Sequence, residues 1–164
     1  STFQAARQSD DPAPLRTAIT NTWTLDGTRL FHRMYPDDAR AADWLSTAPA
    51  GVVAEAVGGS YSDFGRISVY SGLPSVVGWI GHEDQWRGTF AEQRQRGESD
   101  IPTLYQSNNW EAVEAIIQWY EIKYVVVGTL ENRIYRVNEA NFQKYLVPVF
   151  QSGEVTIYQV PWIR

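Results

Sequence analysis

Arg66 is the only Lys or Arg between Arg40 and Arg87, and its neighbours are mostly small or apolar. A guanidinium in such a setting has two uses. It can clamp a phosphate or carboxylate with paired N–H groups. It can instead pair with an acid of its own chain, here Glu55 or Asp63, because a partly buried Arg must find a partner. Further on, His82-Glu83-Asp84 follows Gly81 and is flanked by Trp79, Trp86 and Arg87. His82 or Glu83 would suit general acid–base work; the alternative is a hydrogen-bonded loop, locked by the two Trp, that contacts a neighbouring domain. Ahead of both lies Gly58-Gly59-Ser60-Tyr61, whose glycines can turn backbone N–H groups towards an anion or simply make a tight turn.

None of these motifs is complete. The glycines match neither the dinucleotide fingerprint nor the loop that ends in Lys-Ser/Thr. No Gly-x-Ser-x-Gly elbow occurs, so serine-hydrolase chemistry is not indicated. The only other histidine is His32 and there is no cysteine, which makes the case for a metal site weak and leaves no thiol nucleophile. No catalytic residue, metal or cofactor is assigned.

These residues need elements to hold them. Tyr35-Pro36-Asp37-Asp38 opens a helix with an Asp cap and acids in its first turn, and the helix ends by Pro49. Gly51 to Val57 reads as a buried strand. A helix capped by Ser62 or Asp63 runs to about Tyr70, with Gly72 placed to stop it, and Pro74 to Gly78 reads as a second buried strand. Loops leaving the carboxyl ends of parallel strands carry ligand sites, so the segment 58–88 is the expected working region. A charged helix follows from Thr89 and closes at Gly97, and Ser99-Asp100-Ile101-Pro102 opens another turn. The plainest signal is Asn109 capping Trp110–Tyr120, with an apolar face, followed by the strand Lys123–Gly128. Leu130–Arg136 is short and irregular or helical, and a helix reaches Leu146. Val147–Gln151 and Glu154–Val160, joined through Ser152-Gly153, form a hairpin.

The chain has 164 residues and a net charge of −5, with no Lys/Arg cluster. That length suits one domain, and the charge argues against nucleic acid and against a polybasic membrane patch. Seven Trp and nine Tyr suggest an aromatic core with apolar surface for a neighbour, or a carbohydrate-stacking face. The uncharged run Ile67–Gly81 is 15 residues and broken by Gly and Pro, too short to span a bilayer. Residues 1–15 read as a linker or loose arm and 16–164 as the domain, which reads as either a natural soluble protein or a fragment of something larger.

The block Glu55-Ala-Val-Gly-Gly-Ser-Tyr-Ser62, Gly65-Arg-Ile-Ser68, Gly72-Leu-Pro74 and Gly81-His82-Glu83 to Trp86-Arg87-Gly88 carries a resemblance. With Asp38–Leu45, Lys123–Gly128, Glu131 and Gly153–Tyr158, it resembles the C-terminal soluble part of the YYY-type polytopic membrane proteins of Chloroflexi and archaea. The resemblance implies a membrane-embedded portion of the same polypeptide ahead of Ser1. It also implies similarity to membrane glycosyltransferases that use polyprenyl-phosphate sugars, with this domain outside the cytoplasm at the cell membrane and the catalytic acid elsewhere.

The expected fold is α/β in three layers: a mostly parallel sheet of about five strands, a C-terminal antiparallel hairpin, and helices on both faces. The expected function is that of a non-catalytic extracytoplasmic domain. Gly58, Gly59, Ser60, Tyr61, Arg66, Trp79, His82, Glu83, Trp86 and Arg87 would recognise a glycan or polyprenyl-phosphate headgroup, or dock on the membrane portion. The rivals are a free-standing enzyme acting on a phosphate or sugar substrate through His82, Glu83 and Arg66, and a purely structural interaction domain.

Overall fold

The computed structural model describes residues 27–59, 63–77 and 91–162. Within them the chain forms α1 (Gly27–Met34), α2 (Pro36–Thr47), β1 (Val52–Ala54), α3 (Arg66–Ser71), α4 (Ala91–Gln106), α5 (Trp110–Trp119), β2 (Ile122–Val127), α6 (Thr129–Ile134), α7 (Glu139–Tyr145), β3 (Val147–Ser152) and β4 (Val155–Gln159). The arm at residues 1–15 lies outside the described residues.

The sheet is mixed, with strand order β1-β2-β4-β3. β1 and β2 run parallel, whereas β4 is antiparallel to both β2 and β3. The described sheet therefore has four strands, and its parallel share is smaller than the sequence suggests. The expected strand at Pro74–Gly78 contributes one parallel bridge, Val53 to Ser75, on the free edge of β1. The hairpin places β4 inside and β3 at the edge for a physical reason. Val155, Ile157 and Tyr158 of β4 are buried, while β3 contains Pro148, which lacks the N–H that a central strand must donate.

Alternation along the strands splits the core in two. Val53, Tyr124, Val126, Val155 and Ile157 join Ala41 and Leu45 of α2 and Ile67 of α3. Ala54, Val125, Val127 and Tyr158 join residues of α4, α5 and α7, among them Tyr105, Ile117 and Phe142. Each face of the sheet is thus covered by helical side chains. Among the described residues no helix is long and apolar enough to cross a membrane.

Several local expectations change. α1 has no periodic apolar face to announce it; its buried residue, Phe31, stacks on Tyr70 of α3 at 4.0 Å, a tertiary contact with no sequence period. α2 starts at Pro36, with Tyr35 at the cap position and no side-chain cap; Asp37 and Asp38 are spent elsewhere. α4 runs through Gly97 and Pro102 instead of stopping. A Cβ on Gly97 would lie 2.4 Å from Val77 Cγ2, so this glycine allows close approach of the helix and does not end it. Asn109 does cap α5, its side chain accepting from Glu111 N at 3.0 Å, and Gly72 ends α3 in the left-handed conformation at φ 75°.

The hairpin turn is fixed by Gly153, at φ 52°. A Cβ there would meet Asp37 Oδ2 at 2.1 Å, and Asp37 is held by Arg40 and by Ser152 Oγ. Gly153→Ala should therefore cost about 1–2 kcal/mol or more from left-handed strain, with displacement of Asp37 added. Urea unfolding at fixed slope measures it.

Candidate functional site

Three carboxylates and one guanidinium meet where β1 and β2 end. Glu55 directly follows β1, and Glu131 is the third residue of α6, which follows β2 after Gly128. Arg66 opens α3, and Asp38 comes from the first turn of α2. All four are buried, Glu131 completely so.

Each of the four has hydrogen-bond or ion-pair partners within the chain. Arg66 Nη2 donates to Asp38 Oδ1 at 2.7 Å and lies 3.9 Å from Glu131 Oε2. Glu131 spans the two strand ends: Oε1 accepts from Ala56 N at 2.9 Å and Oε2 from Gly128 N at 3.0 Å. The second contact is the reach-back of a capping-box glutamate; the first ties that helix start to the end of β1. Glu55 accepts from Ile67 N at 2.9 Å and Ser68 N at 3.0 Å, capping α3 in place of the expected Ser62 or Asp63. Tyr105 closes the cluster from below. Its hydroxyl donates to Val126 O at 2.7 Å, with Ala54 O at 3.1 Å, and its ring stacks on Tyr135 at 5.1 Å.

Arg66 thus does what a buried Arg must do, but with other partners than the two read from sequence. Glu55 is engaged by backbone N–H groups, and Asp63 offers Arg66 only its carbonyl, at 3.4 Å. Burial works against the charge of Arg66, but Glu131 and Asp38 outweigh it and hold its pKa above the ordinary guanidinium value. Burial raises Glu131, against the opposing pull of Arg66, and raises Glu55, against its bonds to Ser68. A carboxylate raised in the folded state favours folding most where it is protonated. Its contribution is full below the unfolded value, near 4.5, and is lost as pH rises through the folded pKa. Stability should therefore decline from mildly acidic towards neutral pH, as urea midpoints across that range would record, and Glu55→Gln should flatten the decline.

A cleft of about 270 Å³ opens beside the cluster, lined by Tyr35, Asp37, Asp38, Asp63, Arg66 and Arg133 among others. The chain leaves β1, returns parallel to it at Ser75 on one side, and then crosses to β2 on the other side. The order of connections reverses between β1 and β2, and open α/β sheets place ligands outside the carboxyl ends of strands at such a reversal. Here the innermost part of that position is filled by the Glu131 carboxylate and Arg66. The outer part remains as the cleft, with Arg133 exposed at its wall. Tyr35 donates to Asp63 at the same wall, a bond that, with burial, raises its pKa.

Of the residues singled out by sequence, Gly58, Gly59 and Arg66 fall among those described. Gly58 packs under an aromatic ring: a Cβ would sit 2.2 Å from Phe64 Cε2. That explains the glycine by close packing, without a phosphate. Gly59 is exposed, with open space where a Cβ would go. Ser60, Tyr61, Trp79, His82, Glu83, Trp86 and Arg87 lie outside the described residues. Sequence reasoning missed Asp38 and Glu131 as the partners of Arg66. The one available signal was Glu131 at the third position of a helix after a strand and Gly128, a reach-back spacing.

The sequence matches no protein-family model, and a search of curated proteins finds no match. Among solved structures the chain is similar to the C-terminal globular domain of an oligosaccharyltransferase (AfAglB-S2) from Archaeoglobus fulgidus. The TM-score is 0.49 at 13% identity, over 75% of this chain and 96% of that one. At that level the likeness concerns overall fold alone.

Proposed function

We propose that this chain is a non-catalytic recognition or docking domain of a membrane protein, glycosyltransferase-like in character and placed on the extracytoplasmic side. Its working region is the segment 58–88. The observation that supports this reading is the anchoring of that segment's described parts. Glu55 holds the start of α3, Arg66 ties α3 to Asp38 of α2, and Val53 holds the returning chain through Pro74 O and Val76 N. Described parts held this firmly lower the ordering cost of binding a ligand against them. Arg66 itself belongs to the frame, and ligand contact falls to other residues of the segment 58–88. Ligands suited to that surface are a glycan or a polyprenyl-phosphate headgroup, and the macromolecular partner is the membrane-embedded portion of the same polypeptide.

The rival is an enzyme that uses His82 and Glu83 on a phosphate or sugar substrate. An assay of the 164-residue chain with phospho-sugar substrates decides between them. No release of sugar or phosphate is expected. Turnover abolished by His82→Ala or Glu83→Ala would replace the recognition reading with the enzymatic one.

A further inference from the structure

The cleft beside Arg66 keeps unused hydrogen-bonding groups of both signs on its walls. Asp38 is only 5% exposed, and it lines the cleft. Arg66 takes its Oδ1, while no described residue donates to Oδ2. A buried carboxylate oxygen without a donor is costly, so a donor entering the cleft would satisfy it. On the same walls Asp63 is exposed and accepts from Tyr35, with acceptor capacity beyond that one bond. Thr129 and Arg133 are exposed there too, and among the described residues Arg133 makes no ion pair or hydrogen bond. Opposite charges stand close together: the bond to Asp63 raises the pKa of Tyr35, while Arg133 pulls it the other way.

That mixture selects against ions. A phosphate drawn to Arg133 would face Asp37, Asp38 and Asp63, and an ammonium drawn to those acids would face Arg66 and Arg133. Like charges so placed are repelled. A hydroxyl both donates and accepts, so neighbouring hydroxyls on one ring can give protons to the two aspartates and accept from Arg133. Met34 and Leu130 also line the cleft and offer apolar surface to the C–H face of such a ring. The volume, about 270 Å³, falls just under the roughly 300–1,000 Å³ of pockets for drug-sized ligands, which suits a single ring better than a chain. The cleft lies where the order of connections reverses between β1 and β2, the position at which open α/β sheets bind ligands.

We propose that the cleft binds one neutral sugar unit, with Asp38 Oδ2 and Asp63 accepting from its hydroxyls and Arg133 and Thr129 donating to its oxygens. The proposal rests on the recognition reading and narrows its ligand to an uncharged glycan. It also adds α6 to the contact region, because Thr129 and Arg133 lie outside the segment 58–88.

Amide correlation spectra of the 164-residue chain test it. The chain is titrated with the methyl glycosides of glucose, mannose and N-acetylglucosamine, and with the 1-phosphate of each sugar. At least one glycoside should shift the amides of Asp63, Thr129 and Arg133 together, and its 1-phosphate should bind about tenfold more weakly. Arg133→Ala should weaken the glycoside by about tenfold and leave the thermal melt unchanged, because the side chain is exposed. Asp63→Asn should narrow the gap between glycoside and phosphate, since it removes a repelling charge. A phosphate that binds as tightly as its glycoside would overturn the proposal, as would a glycoside indifferent to Arg133→Ala. Phosphates that shift residues 58–88 while the glycosides shift nothing would sink the proposal and leave the recognition reading standing. Glycoside shifts within 58–88 that miss Thr129 and Arg133 would do the same. Silence from every compound would remove both.

Discussion

Arg66→Met is expected to destabilise the fold by about 3–5 kcal/mol at neutral pH, the cost of leaving buried charge without its partner. Asp38 would lose its 2.7 Å bond, and Glu131 would lose the positive charge that opposes its burial. The loss should depend on pH in a set direction. Without the guanidinium, Glu131 loses the chief pull against the effect of burial, so its folded pKa, already raised, rises further. The deficit is then largest above that value and shrinks as pH falls towards the ordinary carboxylate range. Urea unfolding of both proteins at about pH 5 and about pH 8 measures this, on either side of the shifts expected for buried acids. A deficit of the same size at both would show that packing of the Arg66 stem, and not charge, is what the fold requires.

Glu131→Ala should cost a comparable amount, about 3–5 kcal/mol, by a different route. Two backbone donors, Ala56 N and Gly128 N, lose their acceptor, and buried N–H groups without partners are expensive. Glu131→Gln keeps one acceptor oxygen and should recover part of the loss. Because Arg66 and Glu131 share one network, the variant carrying both changes should lose about 1–3 kcal/mol less than the sum of the single losses. Amide exchange at Ala56 and Gly128 reports the same event locally, and both should speed up in Glu131→Ala. Unchanged exchange at Ala56 would mean that Glu131 does not join the two strand ends.

The sequence made the local signals readable. Asn109, the apolar face of α5 and the run at 123–127 give a helix and a strand directly, and Ser152-Gly153 marks the hairpin. α1 was not readable because Phe31 owes its burial to Tyr70, nearly forty residues away, and only a folded chain shows that contact. α4 misled because Gly97 looks like a stop, whereas its lack of a side chain serves Val77. The strand order was hidden for a related reason. Nothing local says that β4 slips between β2 and β3, although Pro148 in β3 already argues for an edge.

Arg66 was legible as a residue that must be paired, since it stands alone among apolar neighbours. Its partners were not. Asp38 read as a helix-start acid, and Glu131 sits in a short segment with no clear period. Which acid meets Arg66 depends on α2 and α6 converging at the carboxyl ends of β1 and β2, which is a property of topology. Gly58 shows the converse case: a glycine after a strand suggests an anion cradle, and the ring of Phe64 explains it without one.

The most direct test of the recognition reading is an amide correlation spectrum of the 164-residue chain titrated with a prenyl phosphate and, separately, with a glycan. The account predicts that one of them shifts resonances clustered in residues 58–88, without product formation. Shifts centred elsewhere, or none with either ligand, would contradict it, and so would conversion of a phospho-sugar substrate by the chain alone.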